Sequence, residues 1–333
     1  MKLKHAALIA SLALAVPGIA NAADIVIKFS HVVAPDTPKG KAAEYFKKLA
    51  EQRTKGRVQV QVYPNSQLYK DKEELEALQL GAVQMLAPSL AKFGPLGVKE
   101  FEAFDLPYLF DNYDEVHKVT LGPIGKQLFS KLETKGIKGL GYWDNGFKNF
   151  SSNKPIHTPA DLKGVKIRIQ SSKVLDEEMR VVGALPQVMA FSEVYQALQT
   201  GVVDGTELEP SNLYTSKAYE VQKHLTLTGH GYLGYAVVVN KKFWDGLPAD
   251  IRTTLEGAMA DTTKYEIQLA QQDSEKALAA IKASGKTQIY TPTPAEKAAF
   301  QKVFKQVHEK MADRVGLALL KQVEQTTGYS APK

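Results

Sequence analysis

The sequence predicts an α/β protein of two lobes, with mostly parallel sheets flanked by helices and one long helix that braces both lobes. Short strand-like segments alternate with helical ones, and the same rhythm restarts near the middle of the chain. Residues 248–284 have a strongly helical composition that no internal proline interrupts. The chain has 333 residues, enough for two lobes that each bury a core.

The first 22 residues are typical of a secretory signal peptide. Lys2 and Lys4 precede an apolar run over 6–16, a Pro-Gly break and the small-residue pattern Ala-Asn-Ala at 20–22. A membrane anchor is the alternative, but the apolar run is about half of the roughly 20 residues that a spanning helix needs. We therefore expect cleavage after residue 22 and an exported chain that does not insert into the membrane.

Composition and motifs exclude several classes of function. The absence of cysteine removes disulfides, zinc–thiolate sites and cysteine nucleophiles. The formal charge is +6, or +4 once Lys2 and Lys4 are removed, and it is interleaved along the chain, so no nucleic-acid partner is expected. Phosphate-binding loops, nucleophile elbows and histidine pairs at metal-ligand spacing are also missing from the sequence, so we expect no cofactor and no metal.

The elements of the predicted first lobe follow one another directly. Strand patterns and helix patterns alternate over residues 25–33, 39–53, 56–64, 71–80 and 82–89. The helix at 39–53 has an apolar stripe, and the helix at 71–80 ends at a glycine. This order predicts a parallel sheet covered by helices.

The second lobe repeats the pattern with a strand at 165–170, a helix at 173–182, a strand at 187–189 and a helix at 193–199. The chain is expected to cross between lobes near 144–148 and to return near 232–240. We assign residues 23–145 and 234–273 to lobe I, and residues 146–233 and 274–333 to lobe II. An unbroken helix over 248–284 would be about 50 Å long and would brace both lobes, whereas a break near Asp273-Ser274 is the alternative.

Ligands of such sheets bind in the crevice at the carboxyl ends of the strands. The loops that begin at His31, at Ser89 and after "GLGYW" are therefore candidates. Trp143, Asn145 and Lys148 lie where the chain leaves the first lobe. A tryptophan at such a place is more often core than ligand contact, and a lone lysine is more often surface.

Arg168 lies in "GVKIRIQSS", where it alternates with apolar residues together with Gln170. It is either ordinary surface or the floor of a site. An arginine fork makes two parallel, charge-assisted hydrogen bonds to a carboxylate, a geometry that lysine cannot copy. Arg168 is thus a candidate anchor for an organic acid.

The acidic stretch "DGTELE", residues 204–209, allows two interpretations. Asp204-Gly205 is a turn signal, which favours exposed acids in a turn. The alternative is acid–base catalysis by Asp204, Glu207 or Glu209, which would make the protein a secreted enzyme acting on organic acids.

Several segments resemble a known family. "DLKGVKIRIQSSKVL", "PQVMAFSEVYQALQTGVVDGTE" and "KAYEVQKHLTLTGHGYLGYAVVVNKKFWDGLP" resemble the periplasmic substrate-binding proteins of TRAP transporters. "IVIKFSHVVAPDTPKG", "YPNSQLYKDKEELEALQLGAVQMLAPSLAKF" and "FDLPYLFDN" are similar to the C4-dicarboxylate branch, the DctP type. The resemblance covers nearly the whole chain after residue 22.

This resemblance implies a periplasmic, two-lobed, non-catalytic protein that traps a small organic acid and delivers it to the membrane subunits of an ion-driven permease. It also implies that Arg168 pairs with the substrate carboxylate, that Lys148 supplies a second cation, and that Phe191 packs on the ligand. In the family, the loops after the first and third strands contribute polar contacts to the ligand, which implies contacts from His31, Ser89 and Lys92. Gln170, from the same strand motif as Arg168, completes the expected contacts.

One departure bears on the ligand. Leu208 stands where relatives commonly carry a ligand-contacting asparagine, Glu209 adds a negative charge nearby, and Asn212 is a candidate to compensate. The resemblance implies a C4-dicarboxylate such as malate, succinate or fumarate. The alternative within the family is a monocarboxylate, such as a sugar acid or pyroglutamate.

Overall fold

The computed structural model describes residues 25–329, so the predicted signal peptide lies outside the described residues. The strands are β1 Ile25–Ser30, β2 Val58–Tyr63, β3 Met85–Leu86, β4 Ile137–Ser152, β5 Lys166–Ile169, β6 Leu185–Val188, β7 Gly205–Leu208, β8 His224–Asn240 and β9 Gln288–Tyr290. The α-helices are α1 Pro38–Arg53, α2 Glu74–Gln79, α3 Tyr113–Thr120, α4 Pro123–Glu133, α5 Lys173–Val181, α6 Val194–Thr200, α7 Pro210–Thr215, α8 Lys241–Asp245, α9 Ala249–Ser284, α10 Pro294–Val315 and α11 Leu317–Thr327.

The described strands form one continuous sheet in the order β2-β1-β3-β8-β4-β7-β5-β6, with β9 paired to β8. The pairings within β2-β1-β3 and within β7-β5-β6 are parallel. The long strands β4 and β8, of 16 and 17 residues, run antiparallel to each other between these two groups. The prediction of an α/β fold with mostly parallel strands is confirmed, and β4 and β8 contain the predicted crossing segments.

Helix α1 begins at a favourable terminus. The Thr37 side chain accepts a hydrogen bond from the Gly40 amide at 3.1 Å, and Pro38 occupies the first turn, where its missing N–H is no loss. A side chain at position 40 would approach the Pro35 carbonyl oxygen to 2.5 Å, so only glycine allows this close packing. The packing buries the start of the helix, including Lys39.

Helix α9 is continuous over 36 residues, about 54 Å at 1.5 Å per residue. The prediction of an unbroken brace is confirmed, and the alternative break near residues 273–274 does not occur. The helix packs on α1 and β4 along one part and on α7 along another. It ends at Gly285, whose φ of 65° is the left-handed conformation that glycine adopts readily.

The proposed division into lobes stays a prediction. One hydrophobic core lies between α1, β1, β2 and α9 and contains Trp143. A second core includes residues of α3, α4, α5, α10 and α11, and α11 packs on α3 and α4. Within residues 25–329 no helix combines the length and the apolar character needed to cross a membrane.

Helix α2 is shorter than its predicted range of 71–80, since it begins at Glu74. Residues 71–73 form a turn instead. This turn places the buried carboxylate of Asp71 in the central cleft, beside Arg168.

Candidate functional site

A small cavity lies at the loops that follow β1, β3, β5 and β7, beside the middle of β8. The space between its lining atoms is about 380 Å³, and part of this space is open to solvent. Its lining residues are Val32, Val33, Lys39, Asp71, Glu74, Ser89, Lys92, Arg168, Gln170, Phe191, Leu208, Glu209, Asn212, Leu233 and Tyr235. Its position at the carboxyl ends of parallel strands fits the expectation for this sheet type.

Six of the ten residues expected from the sequence to bind ligand line this cavity: Ser89, Lys92, Arg168, Gln170, Phe191 and Asn212. The other four, His31, Trp143, Asn145 and Lys148, are buried outside its lining. The expectation that these four residues contact a ligand stays a prediction, and each of them has a distinct environment within the protein.

Trp143 belongs to the hydrophobic core, where it packs against Phe29 and donates a hydrogen bond from Nε1 to Thr263 Oγ1 at 3.2 Å. Asn145 donates a hydrogen bond from Nδ2 to the hydroxyl of Tyr235 at 2.6 Å, and Tyr235 itself lines the cavity. His31 is almost fully buried, and burial lowers its pKa to about 3, which keeps the imidazole neutral.

Lys148 is engaged in a separate buried cluster. Its Nζ lies 2.5 Å from Glu207 Oε2, because the antiparallel pairing of β4 with β7 brings the two side chains together. Burial opposes the charge of Lys148, but the carboxylates of Glu207, Glu178 and Asp105 outweigh it, so the pKa of Lys148 is raised. Its charge is therefore already neutralised away from the cavity.

The same cluster contains the ligand atoms of Glu178, Glu207 and His230, which lie within 4.8 Å of one another and could hold a metal ion. The Lys148 ammonium already supplies a positive charge there. Glu207 and Glu209 are both buried, so the interpretation of "DGTELE" as exposed acids in a turn is wrong for these two residues. Residues 205–208 form strand β7 instead.

Arg168 lies on β5, between β6 and β7, where its side chain is almost fully buried. Its Nε and Nη2 both donate to the Met189 carbonyl oxygen, at 3.1 and 2.9 Å. The guanidinium carbon lies 6.0 Å from the centre of the Phe191 ring. Within residues 25–329, Nη1 takes part in none of the hydrogen bonds, so this end of the fork is free to donate into the cavity.

Asp71 neutralises Lys92 and approaches Arg168. Its Oδ2 lies 2.8 Å from Lys92 Nζ and 4.0 Å from Arg168 Nη2, and its Oδ1 accepts from the Phe191 amide at 3.4 Å. Burial raises the pKa of Asp71, but the cations Lys92 and Arg168 outweigh it and hold the pKa below its usual range. The sequence reasoning missed this residue because it placed Asp71 at the start of a helix.

Lys39 is a second lining residue that the sequence reasoning missed. Its Nζ donates to the Ala87 carbonyl oxygen at 2.9 Å and lies 3.7 Å from the centre of the Tyr235 ring. Burial lowers its pKa to about 8, although nearby carboxylates oppose this shift. A signal was present, since Lys39 continues the apolar stripe of α1, three and seven residues before Ala42 and Phe46.

Two further carboxylates face the cavity. Burial raises the pKa of Glu74 and the pKa of Glu209 to about 7. Asn212 donates from Nδ2 to Glu209 Oε2 at 3.0 Å and to the Tyr235 hydroxyl at 3.3 Å. Leu208, which departs from the family pattern, lines the cavity with an apolar side chain.

Several contacts join the predicted lobes around the cavity. The Ser89 hydroxyl donates to Gln170 Oε1 at 2.5 Å, and the exposed Lys70 and Glu193 form an ion pair at 2.7 Å. A third contact is the Asp71–Phe191 hydrogen bond. These contacts link the loops after β2 and β3 to the loops after β5 and β6. The structure thus shows a closed cleft.

The chain is similar to known proteins over nearly its whole described length. The model of the family "Bacterial extracellular solute-binding protein, family 7" (DctP) matches residues 29–314. The C4-dicarboxylate-binding periplasmic protein DctP of Rhodobacter capsulatus is 64% identical over 317 residues, 95% of each chain. The C4-dicarboxylate-binding protein DctB of Bacillus subtilis (strain 168) is 42% identical, covering 90% of this chain and 85% of its own.

The chain is also similar in structure to solved solute-binding proteins. A TRAP periplasmic solute-binding protein from Shewanella oneidensis with bound succinate superposes with a TM-score of 0.89 at 42% identity, covering 91% of this chain and 99% of its own. One from Pseudomonas aeruginosa with bound L-malate has a TM-score of 0.84 at 40% identity, covering 86% and 99%. The sugar acid binding protein of Advenella mimigardefordensis with galactonate has a TM-score of 0.88 at 31% identity, covering 91% and 97%.

Proposed function

Because this chain belongs to family 7 of the bacterial extracellular solute-binding proteins, we propose that it captures C4-dicarboxylates such as succinate and malate for a TRAP-type transporter. The relative from Rhodobacter is named for C4-dicarboxylate binding, and two structural neighbours at 40% identity or more hold succinate or malate. The proposal includes export by cleavage after residue 22 and delivery of the ligand to permease subunits in the membrane.

The observation that carries the proposal is the buried Arg168 at a small cavity. Its guanidinium is held by the Met189 carbonyl oxygen, which leaves Nη1 available for a ligand carboxylate. Ion pairs strengthen when water is excluded, because the local dielectric constant falls. A ligand that contacts both sides of the cleft therefore favours the closed state.

Binding without catalysis is part of the proposal. Glu207, one candidate acid, is paired with Lys148 outside the cavity lining, and the family is one of solute-binding proteins. Recovery of succinate unchanged after long incubation would agree with binding alone. Conversion to a product would show that the protein is an enzyme.

A monocarboxylate such as a sugar acid is the second candidate. One structural neighbour of similar TM-score holds galactonate, and Leu208 replaces the polar residue expected from the family. A thermal-shift panel of succinate, malate, fumarate, galactonate and pyroglutamate would distinguish the two. A ligand at 100 times its Kd adds about 2.7 kcal/mol to the free energy of unfolding.

The test of the anchor is calorimetry on Arg168→Ala. We expect succinate affinity to fall roughly 30-fold to several thousandfold, or about 2–5 kcal/mol, because a buried carboxylate would lose its charged partner. Arg53→Ala is the matched control, since Arg53 forms an ion pair with Asp261 on the surface. An Arg168→Ala affinity within threefold of wild type would disprove the assignment.

A further inference from the structure

The cations around the cleft differ in whether they already have a negative partner. Lys92 is paired with Asp71 at 2.8 Å, and Lys148 is paired with Glu207 at 2.5 Å. Arg168 is the proposed anchor for one ligand carboxylate. Lys39 differs from all three, because within residues 25–329 no carboxylate oxygen lies within 4.0 Å of its Nζ.

The contacts of Lys39 leave it able to bind an anion. One N–H donates to the Ala87 carbonyl oxygen and the ammonium lies against the Tyr235 ring, so two of its three donors are not used in hydrogen bonds to the described residues. Only 2% of Lys39 is exposed. A buried ammonium without an ionic partner is unfavourable, and a ligand carboxylate in the cavity would relieve that cost.

We propose that Lys39 binds the second carboxylate of the ligand and thereby sets the preference of this protein for dianions over monoanions. The inference rests on the proposed function, which assigns the first carboxylate to Arg168. Lys92 and Lys148 are poorer candidates, since a ligand would have to compete with Asp71 or Glu207 for them. A monoanion held by Arg168 would leave Lys39 without a partner.

The balance of charge in the cavity agrees with a dianion. Lys39, Lys92 and Arg168 carry three positive charges, and Asp71 carries one negative charge. When Glu74 and Glu209 are protonated, the net charge of these residues is +2, and two ligand carboxylates reduce it to zero. Burial raises the pKa of both residues to about 7, so a proton on each is accessible near neutral pH.

The test uses the whole exported chain and two ligands of nearly equal shape: succinate, and succinamate, in which one carboxylate is an amide. Calorimetry would compare wild type, Lys39→Met and Lys48→Met. Met keeps most of the lysine stem without its charge, and Lys48 is an exposed lysine on the same helix. We expect Lys39→Met to weaken succinate binding about 10- to 100-fold and succinamate binding less than threefold. Lys48→Met should change neither.

Equal losses for both ligands would show that Lys39 only shapes the pocket, and no loss for either would show that it has no role. Both results would overturn the inference. Failure of wild type to bind succinate would instead refute the proposed function. A melting temperature of ligand-free Lys39→Met at or above that of wild type would show that the variant folds.

A crystal structure of the wild-type succinate complex gives an independent answer that needs no variant. The inference requires a carboxylate oxygen within about 3.2 Å of Lys39 Nζ, a normal charge-assisted hydrogen bond. A succinate whose second carboxylate lies beyond 4 Å from Nζ, the usual limit for an ion pair, would overturn the inference.

Discussion

The individual buried charges of this cleft differ in whether the protein already neutralises them. Arg168 and Lys39 are nearly inaccessible to solvent, yet both line a cavity, and neither is matched by a carboxylate at short distance. Lys92 is equally buried but already paired with Asp71. The protein therefore neutralises some of its buried cations itself and leaves others for a ligand to neutralise.

Glu209 makes stability depend on pH. Burial raises its pKa from 4.5 to about 7, so between these values the folded state holds a proton that the unfolded state has lost. Its contribution to the free energy of unfolding is complete below pH 4.5 and is lost as pH rises to about 7, by up to about 3 kcal/mol. We expect Glu209→Gln to be more stable than wild type at pH 8, with the difference vanishing near pH 4.5.

Urea denaturation of the ligand-free protein from pH 4.5 to 8 measures this effect. Glutamine can still accept the hydrogen bond from Asn212, so the local contact is kept. Glu44→Gln, at an exposed position of α1, is the control and should follow wild type. A Glu209→Gln profile parallel to that of wild type would show that folding does not raise the pKa of Glu209.

At the scale of elements, α9 joins the two halves of the fold. Its buried residues include Leu255 and Met259 in the core beside α1, and Ile281 in the core beside α7. Near the middle of α9, Glu266 Oε2 accepts a hydrogen bond from the backbone N–H of Asp144 in β4, at 2.8 Å. Because α9 packs on α1 and β4 along one part and on α7 along another, a continuous helix fixes the positions of these elements relative to one another.

Gln271→Pro tests that continuity. Gln271 is exposed near the middle of α9, so the substitution changes the backbone and leaves the core side chains in place. We expect the free energy of unfolding to fall by about 3 kcal/mol or more, because proline removes a helical hydrogen bond and clashes with the preceding turn. Gln271→Ala should stay within about 0.5 kcal/mol of wild type. Equal stability of the two variants in urea denaturation would mean that α9 tolerates a break there.

At the scale of the whole molecule, the closed cleft depends on few direct contacts across its mouth. The Lys70–Glu193 pair is exposed, so water and salt screen it and it contributes little to stability. Closure with so few contacts is easily reversed, so a ligand that binds both sides can decide the equilibrium. Binding to Arg168 and Lys39 in the cavity would supply the free energy for this shift.

We expect succinate to shift the chain toward the closed state, and the absence of cysteine makes site-specific spin labels straightforward. Lys72→Cys and Ser192→Cys place labels at exposed positions on either side of the cleft. Electron paramagnetic resonance should show a longer-distance population without ligand that disappears with succinate. A pair at Lys48 and Lys72, both in predicted lobe I, should give one unchanged distance. Identical distributions for the first pair in both conditions would argue against ligand-driven closure.

Much of the fold was predictable because it depends on local pattern. The alternation of strands and helices, the places of the two crossings and the long helix at 249–284 follow from periodicity and from the placement of proline and glycine, whereas the full lengths of β4 and β8 do not. The site was harder to predict. Asp71 was missed because the turn at 71–73 has no local signal. The ion pair of Lys148 with Glu207 could not be predicted, because only strand pairing makes these two residues neighbours.

The sequence by itself determined the α/β class, the lack of cysteine chemistry, the family resemblance and the choice of Arg168 as candidate anchor, since each depends on residue type and local spacing. Only the tertiary structure decided which cations remain available to a ligand carboxylate. Lys92 meets Asp71 across 21 residues, Lys148 meets Glu207 across 59, and Lys39 meets the Ala87 carbonyl oxygen across 48. Whether a buried charge is neutralised depends on distances of a few ångströms between such remote residues, because Coulomb energy in a low-dielectric interior is set by separation in space.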